Sequence, residues 1–182
     1  MIRCYVTDRR QGDLLAHVGR AVASGVDLIQ VREKDLAAMD LLDLVCRIRD
    51  TAASHPGSKT KVVVNGRLDI ALIAGIDGVH LPADGFPASE VRPHVRTLGV
   101  SCHSTEEAIQ SERDGVDYII FGPVFETPGK KAVGIDALRQ VVQSVKIPVL
   151  AIGGITSENS PAVLKAGASG IAAIRMFQSV ER

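Results

Sequence analysis

The sequence predicts a (β/α)8 TIM-type barrel folded as a single domain over residues 1–182, and three observations predict it. Short β-branched runs recur at intervals of roughly 20 to 25 residues, eight times in all. Amphipathic helical patterns fill the intervals, the alternation expected of a parallel sheet covered by helices. A Gly-x-Asp phrase returns in front of strands as Gly25-Val26-Asp27, Gly75-Ile76-Asp77 and Gly115-Val116-Asp117, with Gly167-Ala168-Ser169 as a variant, so one supersecondary unit is reused. Eight such units favour closure over an open doubly wound sheet, and no Gly-x-Gly-x-x-Gly follows the first strand to support the open form.

Taken in order, strands are expected at 4–7, 28–32, 61–64, 78–80, 98–101, 118–121, 149–152 and 170–174. Helices are expected at 13–23, 37–53, 68–74, 87–95, 105–113, 135–144 and 157–166. Ser104 followed by Glu107 is a capping-box pattern that opens the fifth helix. Gly25, Gly75, Gly115 and Gly167 stand where helices need a C-terminal stop. Only 176–182 follow the last strand, so the eighth helix is expected to be short or truncated.

Composition narrows the partners. Lys plus Arg and Asp plus Glu each total 21, so the formal charge is zero and no broad field draws nucleic acid or anionic membrane; an anionic ligand must be met locally. With no Trp, two Tyr and four Phe, the chain lacks a stacking platform for single-stranded nucleic acid. No apolar stretch approaches the roughly 18 residues of a membrane span. The expectation is a soluble, cytoplasmic protein with a small-molecule ligand, no nucleic-acid or membrane partner, and outer helices through which a homodimer is able to form. Cys4, Cys46 and Cys102 are odd in number and widely spaced, which fits neither a disulfide framework nor a zinc site; they read as small core residues.

Reactive groups of such barrels gather where strands end. Here those positions hold Gln30, Arg32 and Lys34 after the second strand, Asn65 after the third, His80 after the fourth and His103 after the fifth. Thr127 and Lys130 follow the sixth, Gly153 and Gly154 the seventh, and Ile174 and Arg175 the eighth. Gln30 and Arg32 are two apart and share a strand face, which points to the mouth; the alternative is an internal pair between Arg32 and Glu33 or a nearby Asp. Gly153 and Gly154 let backbone N–H groups approach a phosphate, although a tight turn needs the same residues. His103 is a candidate for proton transfer, because imidazole titrates near neutrality, or else a neighbour of the Ser104 cap bonded to backbone. His17, His55 and His94 read as surface residues, and Cys102 points away from His103. Lys130 and Lys131 lie in a solvated loop or in a flap that orders over ligand.

The phrases Tyr5-Val6-Thr7-Asp8, Gln30-Val31-Arg32-Glu33-Lys34, Gly78-Val79-His80-Leu81, Asp117 through Phe125, and Ala151-Ile152-Gly153-Gly154-Ile155 together resemble the thiamine phosphate synthase and thiazole tautomerase superfamily. The synthase joins a pyrimidine diphosphate to thiazole phosphate; its pattern has an Asn-Asp pair after strand three and a second Asp closing His-Leu-Gly-Gln-x-Asp, and these acids hold magnesium. Here Gly66 and Gly85 occupy those positions, with Asp84 one residue early. Phrases such as Ser101-Cys102-His103-Ser104 and Phe125-Glu126-Thr127 are similar to the tautomerase branch. The resemblance therefore implies a metal-independent, cofactor-free isomerase that aromatises a carboxythiazole phosphate, with His103 as proton shuttle. It further implies phosphate binding by Gly153, Gly154, Ile174 and Arg175, and substrate contacts from Gln30, Arg32, Lys34, Asn65, Thr127 and Lys130. Arg175 stands where the family has a small residue and is read as a bidentate phosphate clamp. The alternatives are a magnesium-dependent thiamine phosphate synthase that uses Asp84 and another acid, and a non-catalytic regulator that binds thiazole phosphate.

Overall fold

Eight parallel strands close on themselves in a computed structural model that describes residues 1–178. They are β1 (Ile2–Val6), β2 (Leu28–Val31), β3 (Lys61–Asn65), β4 (Gly78–Leu81), β5 (Thr97–Cys102), β6 (Tyr118–Phe121), β7 (Val149–Ile152) and β8 (Gly170–Ala173). Each pairs with the next in chain order, and β8 returns to β1 with Cys4 opposite Ala172. Around them lie α1 (Leu14–Ala23), α2 (Ala38–Ala53), α3 (Leu68–Ala74), α4 (Ala88–Val91), α5 (Thr105–Arg113), α6 (Ile135–Ser144), α7 (Ser160–Lys165) and α8 (Arg175–Gln178). The predicted barrel is the observed one.

Strand alternation divides the residues into two cores. Cys4, Val6, Leu28, Val63, Tyr118, Ile120, Leu150 and Ala172 fill the barrel, while Tyr5, Ile29, Val31, Val64, Val79, Leu98, Ile119 and Phe121 pack under the helices. The same parity turns Gln30, Asn65, His80 and Ser101 inward. Gly99 is required there, since a Cβ at that position would lie 2.1 Å from the Tyr118 ring.

The repeated Gly-x-Asp phrase has a structural meaning that spacing alone did not reveal. Asp27, Asp77 and Asp117 each accept, on a side-chain oxygen, the backbone N–H of a residue in the preceding strand: Arg3, Val62 and Leu98, at 2.8, 2.8 and 2.7 Å. Each Asp also donates its own N–H to the carbonyl of that same residue. Both orphan groups at the strand start are thus satisfied, and β2, β4 and β6 are each tied to the strand before them at the floor of the barrel.

Four local expectations are corrected. The helix expected over 87–95 is one α turn, α4, followed by a 3-10 turn over Arg92–His94, because Pro93 has no N–H to continue an α ladder. Helix α7 starts at Ser160, since Thr156 and Asn159 exchange side-chain to backbone bonds just before it. Helix α8 begins at Arg175, and 179–182 of the expected stub lie outside the described residues. His17 is buried, because its α1 face also carries Leu14, Val18 and Ala21.

Candidate active site

At the end of β2 the side chains separate by parity. Gln30 is buried beneath the mouth, Arg32 and Lys34 are exposed, and Glu33 between them is buried. The alternative Arg32–Glu33 pair does not form: Glu33 faces back and pairs with Arg9 at 3.4 Å, accepting also the Thr7 hydroxyl at 2.7 Å. Sequence reasoning offered Glu33 only as a partner for Arg32 and gave Thr7 no role; their signal is the polar residue of opposite parity at each strand end.

Asn65 closes β3 directly opposite His80 of β4. His80 is enclosed inside the barrel, with Nε2 2.9 Å from the Ser101 hydroxyl and Nδ1 3.1 Å from the Tyr118 hydroxyl. Burial pushes its pKa down to about 3, and the nearby Arg32 charge adds to the effect. A neutral imidazole offers one donor and one acceptor, which these two hydroxyls match. His80 therefore anchors Ser101 and Tyr118 and is not a solvent-facing base. Because the folded chain refuses a proton that the unfolded chain takes up below the ordinary histidine value of 6.5, stability falls as pH drops from there toward 3. The expected slope from this group is about 1.4 kcal/mol per pH unit. His17, whose pKa burial also lowers, acts in the same direction. Urea midpoints at pH 7, 6 and 5 check this; midpoints that do not move would contradict it.

His103, just beyond β5, is exposed. Its Nδ1 donates to the Gly122 carbonyl at 2.7 Å, and its backbone N–H donates to the Glu107 carboxylate at 2.6 Å. Ser104 completes the box by accepting the N–H of Glu107 at 3.1 Å. The backbone-bonded neighbour of a cap, one of the two sequence expectations, describes this geometry. Cys102 points into the outer core against Ser111, and burial raises its thiol to about 11, so it forms no nucleophile pair with His103.

The loops after β6 and β7 press together. Val124 and Phe125 donate to the carbonyls of Ile152 and Gly153 at 2.8 and 3.1 Å. A Cβ on Gly153 would lie 2.3 Å from the Pro123 Cβ, and one on Gly154 would lie 2.8 Å from the Glu126 carbonyl, so both glycines are demanded by packing. Thr127 and Lys130 bond to each other across a tight turn, leaving Lys130 exposed. Ile174 and Arg175 follow β8, the strand paired with β7, so they adjoin Gly153 and Gly154 at the mouth. The topology thus gathers every expected site residue at one end of the barrel.

The comparisons with known proteins separate the two branches. Residues 4–177 match the family described as thiamine monophosphate synthase. A putative thiamine-phosphate synthase of Geobacter sulfurreducens is 45% identical over 179 residues, which cover 93% of this chain and 83% of the relative. The thiamine-phosphate synthase of Methanocella arvoryzae is 42% identical, over 97% of this chain and 86% of its own. The solved thiamine phosphate pyrophosphorylase from Pyrococcus furiosus superposes with a TM-score of 0.88 at 35% identity, covering 99% of this chain and 89% of that one. These findings overturn the isomerase expectation. That expectation leaned on His103, whose backbone N–H serves the α5 cap through Glu107 and whose ring is bonded to the Gly122 carbonyl after β6, and on two missing acids, which say what the mouth lacks and not which reaction it performs. The fold, the mouth and these likenesses lead to one conclusion: the chain belongs to the thiamine monophosphate synthase family of enzymes.

Proposed function

We propose that the chain is a transferase that joins a pyrimidine diphosphate to thiazole phosphate to give thiamine phosphate. The bond from the pyrimidine methylene to diphosphate oxygen breaks, and a bond from that carbon to the thiazole ring nitrogen forms. The observation that carries the reading is the 45% identity to a putative thiamine-phosphate synthase over 93% of the chain. Both substrates are anionic, and a chain of zero net charge must meet them with local cations. In this reading Arg32 and Lys34 face the diphosphate and offset the charge that develops as it leaves. Backbone N–H groups of Gly153, Gly154, Ile174 and Arg175, on neighbouring strand ends, face the thiazole phosphate. Gln30 and Asn65 line the interior wall between them, and Thr127 and Lys130 border the mouth.

The resemblance also implies magnesium, and the residues present do not fit a protein-held ion. Gly66 offers no side chain, and a Cβ added there would only reach ordinary contact with Pro82. Gly85 is likewise bare, and Asp84 is exposed one residue early. Among the described residues no group of three or more His, Cys, Asp or Glu is placed to hold a metal. Calorimetric titration of the protein with magnesium alone is expected to show no saturable submillimolar binding; a well-formed one-site isotherm would contradict this.

The test of the reaction is incubation of purified protein with both precursors, with added magnesium and with chelator, and separation of thiamine phosphate by chromatography. Product formation is expected. Absence of product under both conditions would refute the proposal.

A further inference from the structure

Sequence Arg32-Glu33-Lys34 places an acid between two bases, and the simplest outcome would be mutual neutralisation. The structure does the opposite. Glu33 is 5% exposed, and its Oε1 accepts the Thr7 hydroxyl at 2.7 Å and the Arg9 backbone N–H at 3.1 Å. The Arg9 guanidinium reaches Oε2 at 3.4 Å and grips Asp35 through two bonds of 2.7 and 2.9 Å. Thr7, 1% exposed, completes the lattice by accepting the backbone N–H of Arg32 at 3.0 Å. Residues 33 and 35 are thereby tied to the segment after β1, while Arg32 and Lys34 stay exposed, Arg32 close enough to His80 to depress its pKa.

We infer that Glu33 and Thr7 are positioning residues: Thr7 holds the Arg32 backbone, Glu33 holds Thr7 and Arg9, and the two cations are turned into the mouth with their charge uncancelled by the acid between them. The inference rests on the proposed reading that Arg32 and Lys34 meet the diphosphate. Charge-assisted bonds to a buried carboxylate fix geometry more tightly than neutral ones, and a charged group displaced by about 1 Å loses up to about 10²-fold in rate.

The full chain carrying Thr7→Val, Thr7→Ser, Glu33→Ala or Glu33→Gln separates positioning from plain stability. Steady-state kinetics and calorimetric binding of inorganic diphosphate are read together, with circular dichroism to confirm folding. Thr7→Val and Glu33→Ala are expected to raise Kd for inorganic diphosphate by about tenfold and to lower kcat/KM for the pyrimidine diphosphate by at least as much. Thr7→Ser, which keeps the hydroxyl, is expected to stay within about threefold of wild type, and Glu33→Gln, which keeps one accepting oxygen and loses the charge that meets the Arg9 guanidinium, to fall between wild type and Glu33→Ala. If Thr7→Val does not fold, the Glu33→Ala and Glu33→Gln pair decides. Wild-type diphosphate binding in folded Glu33→Ala overturns the inference. The proposed reaction fails separately: wild-type protein that makes no thiamine phosphate refutes the reaction, while weakened diphosphate binding in Glu33→Ala still upholds the positioning role.

Discussion

Alanine at Gly153 is expected to cost the fold about 3 to 5 kcal/mol. Two terms add. The backbone there has φ of 95°, outside the range comfortable for an L side chain. The new Cβ would also sit 2.3 Å from the Cβ and 2.5 Å from the Cα of Pro123, where backbone and ring leave little room to yield. Gly129 separates the terms: its φ is 76° and nothing lies within 4 Å of an added Cβ. Gly129→Ala should therefore cost only the conformational part, about 1 to 2 kcal/mol. Urea denaturation of both variants checks the difference. Equal midpoints would mean that the loop carrying Pro123 moves aside without cost.

Removal of the Arg32 guanidinium should bring the largest loss of activity, a fall of about 10² to 10³ in kcat/KM, the usual effect of deleting one preorganised electrostatic group. Arg32→Lys should recover only part of it, because an ammonium offers a point charge where a guanidinium offers a planar fork. Stability should change little, since Arg32 is exposed and its backbone N–H bond to Thr7 survives the substitution. Steady-state kinetics with both precursors measure this, and a loss of less than about threefold in Arg32→Ala would remove Arg32 from the anion-facing group.

The site was partly legible before any coordinates. Gln30 and Arg32 share a strand parity, and the structure places one under the mouth and the other at its edge. Residues after β7 and β8 could be placed side by side because consecutive strands of a closing barrel are neighbours. His80 was misplaced among the mouth groups, since a polar residue inside a strand gives no sign of whether hydroxyls on adjacent strands enclose it. Ser101 and Tyr118, which do enclose it, lie 21 and 38 residues away. Glu33 illustrates the same limit: its partner is Arg9, 24 residues distant, and not the bases beside it.

What the amino-acid order determined by itself was whatever depends on local repetition. The period of apolar runs, the two-residue alternation and the recurring Gly-x-Asp phrase fix eight strands, their inner and outer faces and their order round the barrel. The tertiary structure alone decided which polar atoms meet. The barrel's closure brings β8 against β1 and the loop after β6 against that after β7, and hydrogen bonds form between groups that the chain keeps far apart. Those meetings, Glu33 with Arg9 and Thr7, His80 with two hydroxyls and Gly153 with Pro123, depend on distances in space that no periodicity encodes.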